Sequence, residues 1–137
     1  MTRRFHIIPH TADIGIVARG RNLPEAFANA AFGLFSIMSD LRRVRPVETR
    51  TIEINEKDYE SLLFEWLNTF IYLFDAQSML FRRCEIVDFG PHRLTARCAG
   101  ETLDPARHRI KLGVKSATYY LLKVDTENNL VQVILDV

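Results

Sequence analysis

The chain has 137 residues, 47% of them apolar and 26% charged, proportions of a folded globular protein that exclude disordered and collagen-like classes. Eighteen basic residues against 17 acidic ones give a net charge of +1, so bulk electrostatics pulls toward neither nucleic acid nor an anionic membrane, and any contact with RNA is expected to be indirect or local. No apolar leader follows the first two arginines and no apolar run approaches the roughly 20 residues of a membrane helix, which makes one cytoplasmic domain over residues 1–137 the expectation.

Phe5, Ile7 and Ile8 suit a short edge strand whose outer end Arg3 and Arg4 keep polar. After Pro9 comes His10-Thr11-Ala12-Asp13, and then an alternation of Ile14, Ile16 and Ala18 against Gly15 and Val17. That pattern predicts a strand with the Asp13 carboxylate at its entrance. The first helix is marked by Asn22 as its cap, Pro24 in its first turn and Glu25 at the positive end of the dipole. Phe27, Ala30, Ala31, Leu34, Phe35 and Met38 fall on one face. Beyond the basic stretch Arg42-Arg43-Val44-Arg45 and Pro46, Val47, Ile52 and Ile54 oppose Thr49, Thr51, Glu53 and Asn55 imperfectly, which predicts a half-exposed strand.

A second helix starts near Asp58. Leu62, Leu63, Trp66, Leu67, Phe70, Ile71 and Phe74 form its apolar stripe, widened by Phe64, Tyr72 and Leu73, so burial over much of its circumference is expected. Two strands follow, roughly 79–89 and 93–99, joined at Gly90-Pro91-His92. A turn centred on Pro91 sets Cys84 opposite Cys98; neither has metal-ligand spacing, and two reduced core thiols are expected in a cytosolic protein. Residues 100–109 read as a polar loop turning at Asp104-Pro105. A hairpin of 117–124 and 130–137 about Thr126-Glu127-Asn128-Asn129 closes the chain. Pairing Val124 with Val131 puts Asp136 opposite Tyr119 and Lys115 just past the same end. Strand, helix, strand, helix and then four strands make the expected fold α+β: a mostly antiparallel sheet with two helices packed on one face.

The last strand runs into Asp136 and Val137, whose side-chain and terminal carboxylates then stand together. If the strand that opens on Asp13 begins near that end, three like-charged oxygen donors converge, which costs energy unless a cation balances them. An all-oxygen set suits a hard divalent ion, calcium or else magnesium or manganese, better than zinc, and Lys115 can balance one charge or hold a phosphate. Spacing alone favours a plainer reading, in which Asp13 bonds local backbone amides, Asp136 is a solvated terminus and Lys115 a surface lysine. No other constellation builds. His6, His10, His92 and His108 are scattered, no Gly-rich phosphate loop or nucleophile elbow is present, and Glu65 and Asp75 have nothing to mark them as an acid–base pair. Catalysis by the chain alone is not expected.

The residues resemble the archease family along nearly their whole length. The resemblance rests on His10-Thr11-Ala12-Asp13-Ile14-Gly15, on Glu25-Ala26-Phe27 and Ala30-Ala31-Phe32-Gly33-Leu34, and on Leu62-Leu63 with Trp66-Leu67-Asn68. It continues through Gly100-Glu101, Asp104-Pro105, Arg107-His108, Val114-Lys115 with Thr118-Tyr119, and Ile134-Leu135-Asp136-Val137. It implies a fold similar to those built of strand-helix-strand-strand modules, and an accessory protein and not an enzyme. Such a protein activates the GTP-dependent RNA ligase that joins 2′,3′-cyclic-phosphate or 3′-phosphate ends to 5′-hydroxyl ends in tRNA splicing and RNA repair, by promoting ligase guanylylation and multiple turnover. The alternative it implies is a chaperone-like modulator of a tRNA cytosine-5 methyltransferase. It places the metal ligands on Asp13 and Asp136, with Val137 as a further ligand through its carboxylate, and the functional lysine on Lys115. His10 and Thr11 would shape the loop and orient Asp13. The chain departs from the family at Gly113, where an acidic residue is usual, at Ser116, where alanine is usual, and at Tyr120, often histidine. Gly113 has no side chain and offers no carboxylate to a metal.

Overall fold

The structure, a computed structural model, describes residues 4–10 and 13–137, without the side chains of Pro9 and His10. Its elements run β1 (Phe5–His10), β2 (Asp13–Arg19), α1 (Leu23–Met38), β3 (Glu48–Asn55), α2 (Tyr59–Gln77), β4 (Met79–Gly90), β5 (Arg93–Thr102), β6 (Ser116–Asp125) and β7 (Leu130–Asp136). All strand pairs are antiparallel, as an α+β chain of hairpins requires, but they divide between two sheets. One has the order β1-β2-β7-β6 and the other β3-β5-β4.

Both helices start where their caps dictate. The Asn22 side chain accepts the Glu25 N–H at 2.9 Å, and Asp58 accepts the Ser61 N–H at 2.8 Å. At the other end of α2, Ser78 takes a left-handed conformation (φ 55°) and donates its N–H to the Phe74 carbonyl at 2.8 Å. Each helix touches both sheets, so the two sheets and two helices share one core around Phe27, Leu34, Leu63, Trp66 and Phe70. Trp66 ties the helices together by donating its indole N–H to the Phe27 carbonyl at 2.9 Å. The buried stripe of α2 is narrower than its sequence suggests: it spans Leu62 to Ile71, while Tyr72 is 65% exposed and Leu73 and Phe74 only half-buried.

Three expectations are corrected. Cys84 and Cys98 are cross-strand partners as the turn at Pro91 requires, but they form a disulfide and are not free thiols. Gly100 and Glu101 belong to β5, which runs on to Thr102, and Glu101 is buried. In the final hairpin Val124 does pair with Val131, yet Asp136 lies opposite Ser116 and not Tyr119. The cause is a bulge between Thr118 and Lys123, where β6 carries three more residues than β7 and Leu121 adopts a left-handed φ of 55°.

Candidate functional site

Strand β7 is central in its sheet, with β2 on one side and β6 on the other. At one end Asp136 is the cross-strand partner of Asp13 in β2 and of Ser116 in β6. Residues directly opposite in an antiparallel sheet project from the same face with Cβ atoms about 4.5–5.5 Å apart. Asp13, Asp136 and Ser116 thus form one row of oxygen-bearing side chains. The bulge has a direct consequence here: by shifting the register it brings Lys115 beside the row, where its N–H donates to the Asp136 carbonyl at 2.8 Å. The Lys115 side chain is exposed.

Two carboxylates opposed at this spacing repel each other. A hard divalent ion, which takes oxygen ligands at about 2.3–2.6 Å for calcium, would relieve the repulsion by bridging them. The donor chemistry therefore fits such an ion, although among the described residues no group of three or more His, Cys, Asp or Glu side chains stands close enough to hold a metal. Asp13 and Asp136 would supply part of a coordination sphere. Val137 is half-buried and its side chain packs on the core. Thr11 and the side chain of His10 lie outside the described residues; the backbone of His10 pairs with Asp13.

Sequence reading missed a second polar cluster. Glu101 accepts the Arg45 N–H at 2.7 Å, two guanidinium N–H groups of Arg107 at 2.7 and 3.2 Å, and His108 Nε2 at 2.9 Å. His108 Nδ1 accepts the Asp104 N–H at 2.8 Å, so the ring proton sits on Nε2 and is donated to Glu101. The Arg107 hydrogen bonds hold the Glu101 carboxyl far below the usual glutamate range, against the opposing effect of burial, with Arg45 N–H and His108 adding to them. This cluster fixes the start of the long loop that ends at Lys115. The signal was present in the Gly100-Glu101 and Arg107-His108 motifs, but spacing alone does not show that they face each other.

The model of the Archease protein family (MTH1598/TM1083) matches residues 5–137. The chain belongs to the archease family. A protein archease from Sulfurisphaera tokodaii is 38% identical over 128 residues, covering 93% of this chain and 92% of the relative. One from Thermococcus gammatolerans is 39% identical over 127 residues, covering 90% and 89%. The solution structure of Methanobacterium thermoautotrophicum protein 1598 superposes with a TM-score of 0.76 at 30% identity, covering 98% of this chain and 99% of that one. A crystal structure from Thermotoga maritima, described as an archease and possible chaperone, has a TM-score of 0.58 at 20% identity and shares the archease fold, with 94% and 92% covered.

Proposed function

We propose that this archease-family chain is an accessory activator of the GTP-dependent RNA ligase that seals 2′,3′-cyclic-phosphate or 3′-phosphate ends to 5′-hydroxyl ends, and that it promotes the ligase's guanylylation. The observation that supports this reading most is the opposition of Asp13 and Asp136 at the end of β2 and β7. Two half-buried carboxylates hold an ion only partly, which suits a tip whose coordination is completed by a partner's groups. When bound there, a divalent ion would supply positive charge for oxygen ligands of the partner or its nucleotide. Asp13 and Asp136 would orient it, and the exposed Lys115 would add a second cationic contact for phosphate oxygens. The near-neutral net charge agrees with a partner that is protein and not free RNA.

The test is guanylylation of the ligase with GTP and a divalent metal, with and without the protein. The wild type should stimulate labelling, and Asp13→Ala and Asp136→Ala should each remove most of the stimulation; undiminished stimulation by both variants refutes the site. A second reading, a chaperone-like modulator of a tRNA cytosine-5 methyltransferase, is favoured by the bulge of β6, which holds Tyr119 and Leu121 half-exposed next to the carboxylate end. Apolar side chains displayed on an edge strand suit protein docking. Co-purification of methyltransferase activity in the absence of ligase would favour that reading.

A further inference from the structure

The cations of this near-neutral chain are not spread evenly. The turn Leu41–Arg43 after α1 and the loop between β5 and β6 face each other across a hollow of about 580 Å³. Arg42, Arg43, Arg107, Arg109 and Lys111 line it, against the single carboxylate of Asp40. A smaller adjoining hollow of about 250 Å³ shares Asp40, Arg42 and Lys111 and adds Arg82.

The walls are fixed to each other. Ser39 and Ile110 form a β-bridge, the Lys111 N–H donates to the Met38 carbonyl at 2.8 Å, and Lys111 Nζ donates to the Ser36 carbonyl at 2.8 Å. Behind the hollow, buried Glu101 anchors Arg107 and His108. The cations are thus oriented without being used up. Arg107 gives three of its five N–H donors to Glu101 and Asp104, and Arg42 gives two to the Asp40 side chain. Lys111 gives one of three, and Arg109 makes no hydrogen bond or ion pair among the described residues. What the hollow presents is a fan of spare N–H donors around a positive space, the chemistry that recognises clustered phosphate oxygens.

We propose that this hollow binds a compact polyphosphate, either inorganic or the polyphosphate tail of a nucleotide. A nucleic-acid strand fits it less well, because no Phe, Tyr or Trp lines the larger hollow and its one aromatic ring, the His108 imidazole, is buried and held at both nitrogens by the Asp104 N–H and Glu101, while its volume is that of a small-ligand pocket. The inference is independent of the Asp13–Asp136 ion, whose residues do not line it.

Calorimetric titration with inorganic tripolyphosphate, ATP and a 20-nucleotide oligouridylate, all in EDTA so that no divalent ion takes part, tests it. Tripolyphosphate should bind saturably at one site, and ATP within a few-fold of it. The double variant Arg43→Ser/Arg109→Ser, at two exposed cations, should weaken binding about ten-fold or more, whereas Arg83→Ser/Arg97→Ser, which removes the same charge from exposed positions of β4 and β5, should leave it within about two-fold. Absence of saturable tripolyphosphate binding overturns the proposal. So does equal weakening by the two double variants, or oligouridylate binding tighter than tripolyphosphate, since either means diffuse attraction of a polyanion.

Discussion

Asn68 grips Ala117 by both of its backbone groups: Asn68 Oδ1 accepts the Ala117 N–H at 2.8 Å, and Nδ2 donates to the Ala117 carbonyl at 3.3 Å. Strand β6 lies at the sheet edge, so one side of it lacks a neighbouring strand, and a side chain from α2 takes that place at a single residue. Ala117 adjoins Ser116, the partner of Asp136, and lies two residues from Lys115. Asn68→Ala should therefore cost about 1–3 kcal/mol in chemical denaturation, because it leaves two part-buried backbone groups without partners. It should also lower ligase stimulation several-fold without touching either carboxylate. Unchanged stability and stimulation would show that the clamp does not position this end of β6.

The Glu101 cluster makes a pH prediction. Because the folded pKa is depressed, the stability that Glu101 contributes is fully present above the unfolded glutamate value of about 4.3 and is lost as the pH falls below it toward the folded value. Glu101→Gln should destabilise the protein at pH 7 by about 2–3 kcal/mol, since Arg107 and His108 lose an ionised acceptor. It should also flatten the decline of stability below pH 4, which unfolding curves at several pH values would read. A variant that runs parallel to the wild type through the acid range would contradict the assignment.

The disulfide between Cys84 and Cys98 closes a short loop containing the β4–β5 turn. Thiol titration of the unreduced, unfolded protein should find no free thiol. Reduction, or Cys84→Ser with Cys98→Ser, should lower stability by about 2–3 kcal/mol, chiefly by giving entropy back to the unfolded chain. Strand pairing supports the same register, so the fold should survive. Two free thiols in the untreated protein would contradict the bond.

Much of the fold could be read from local chemistry. Asn22, Asp58 and the apolar spacing define both helices, and Gly90-Pro91-His92 sets the β4–β5 register well enough to oppose the two cysteines. What failed had physical causes. Tyr119-Tyr120-Leu121-Leu122 is good strand sequence, so nothing in it announces that β6 leaves its ladder there and shifts Asp136 by three residues. Gly100-Glu101 looked like loop because a glutamate is seldom buried, and its partners Arg45, Arg107 and His108 come together only through the fold. The opposition of Asp13 and Asp136 pairs residues near the two ends of the chain. The sequence supplied the carboxylates, but only the antiparallel pairing of β2 with β7 sets them face to face.

That pairing carries the functional reading, and the most direct test of it is thermal unfolding of the wild type and Asp136→Asn, each in EDTA and in millimolar calcium. In EDTA the two opposed carboxylates repel, so Asp136→Asn should unfold at the wild-type temperature or slightly above it. With calcium the wild type should gain stability as ligand binding draws it toward the folded state, whereas the variant should gain little. The order of the two proteins should therefore reverse between the two buffers. A wild type that is indifferent to calcium, magnesium and manganese, or a variant that gains as much as the wild type, would contradict an ion held between Asp13 and Asp136.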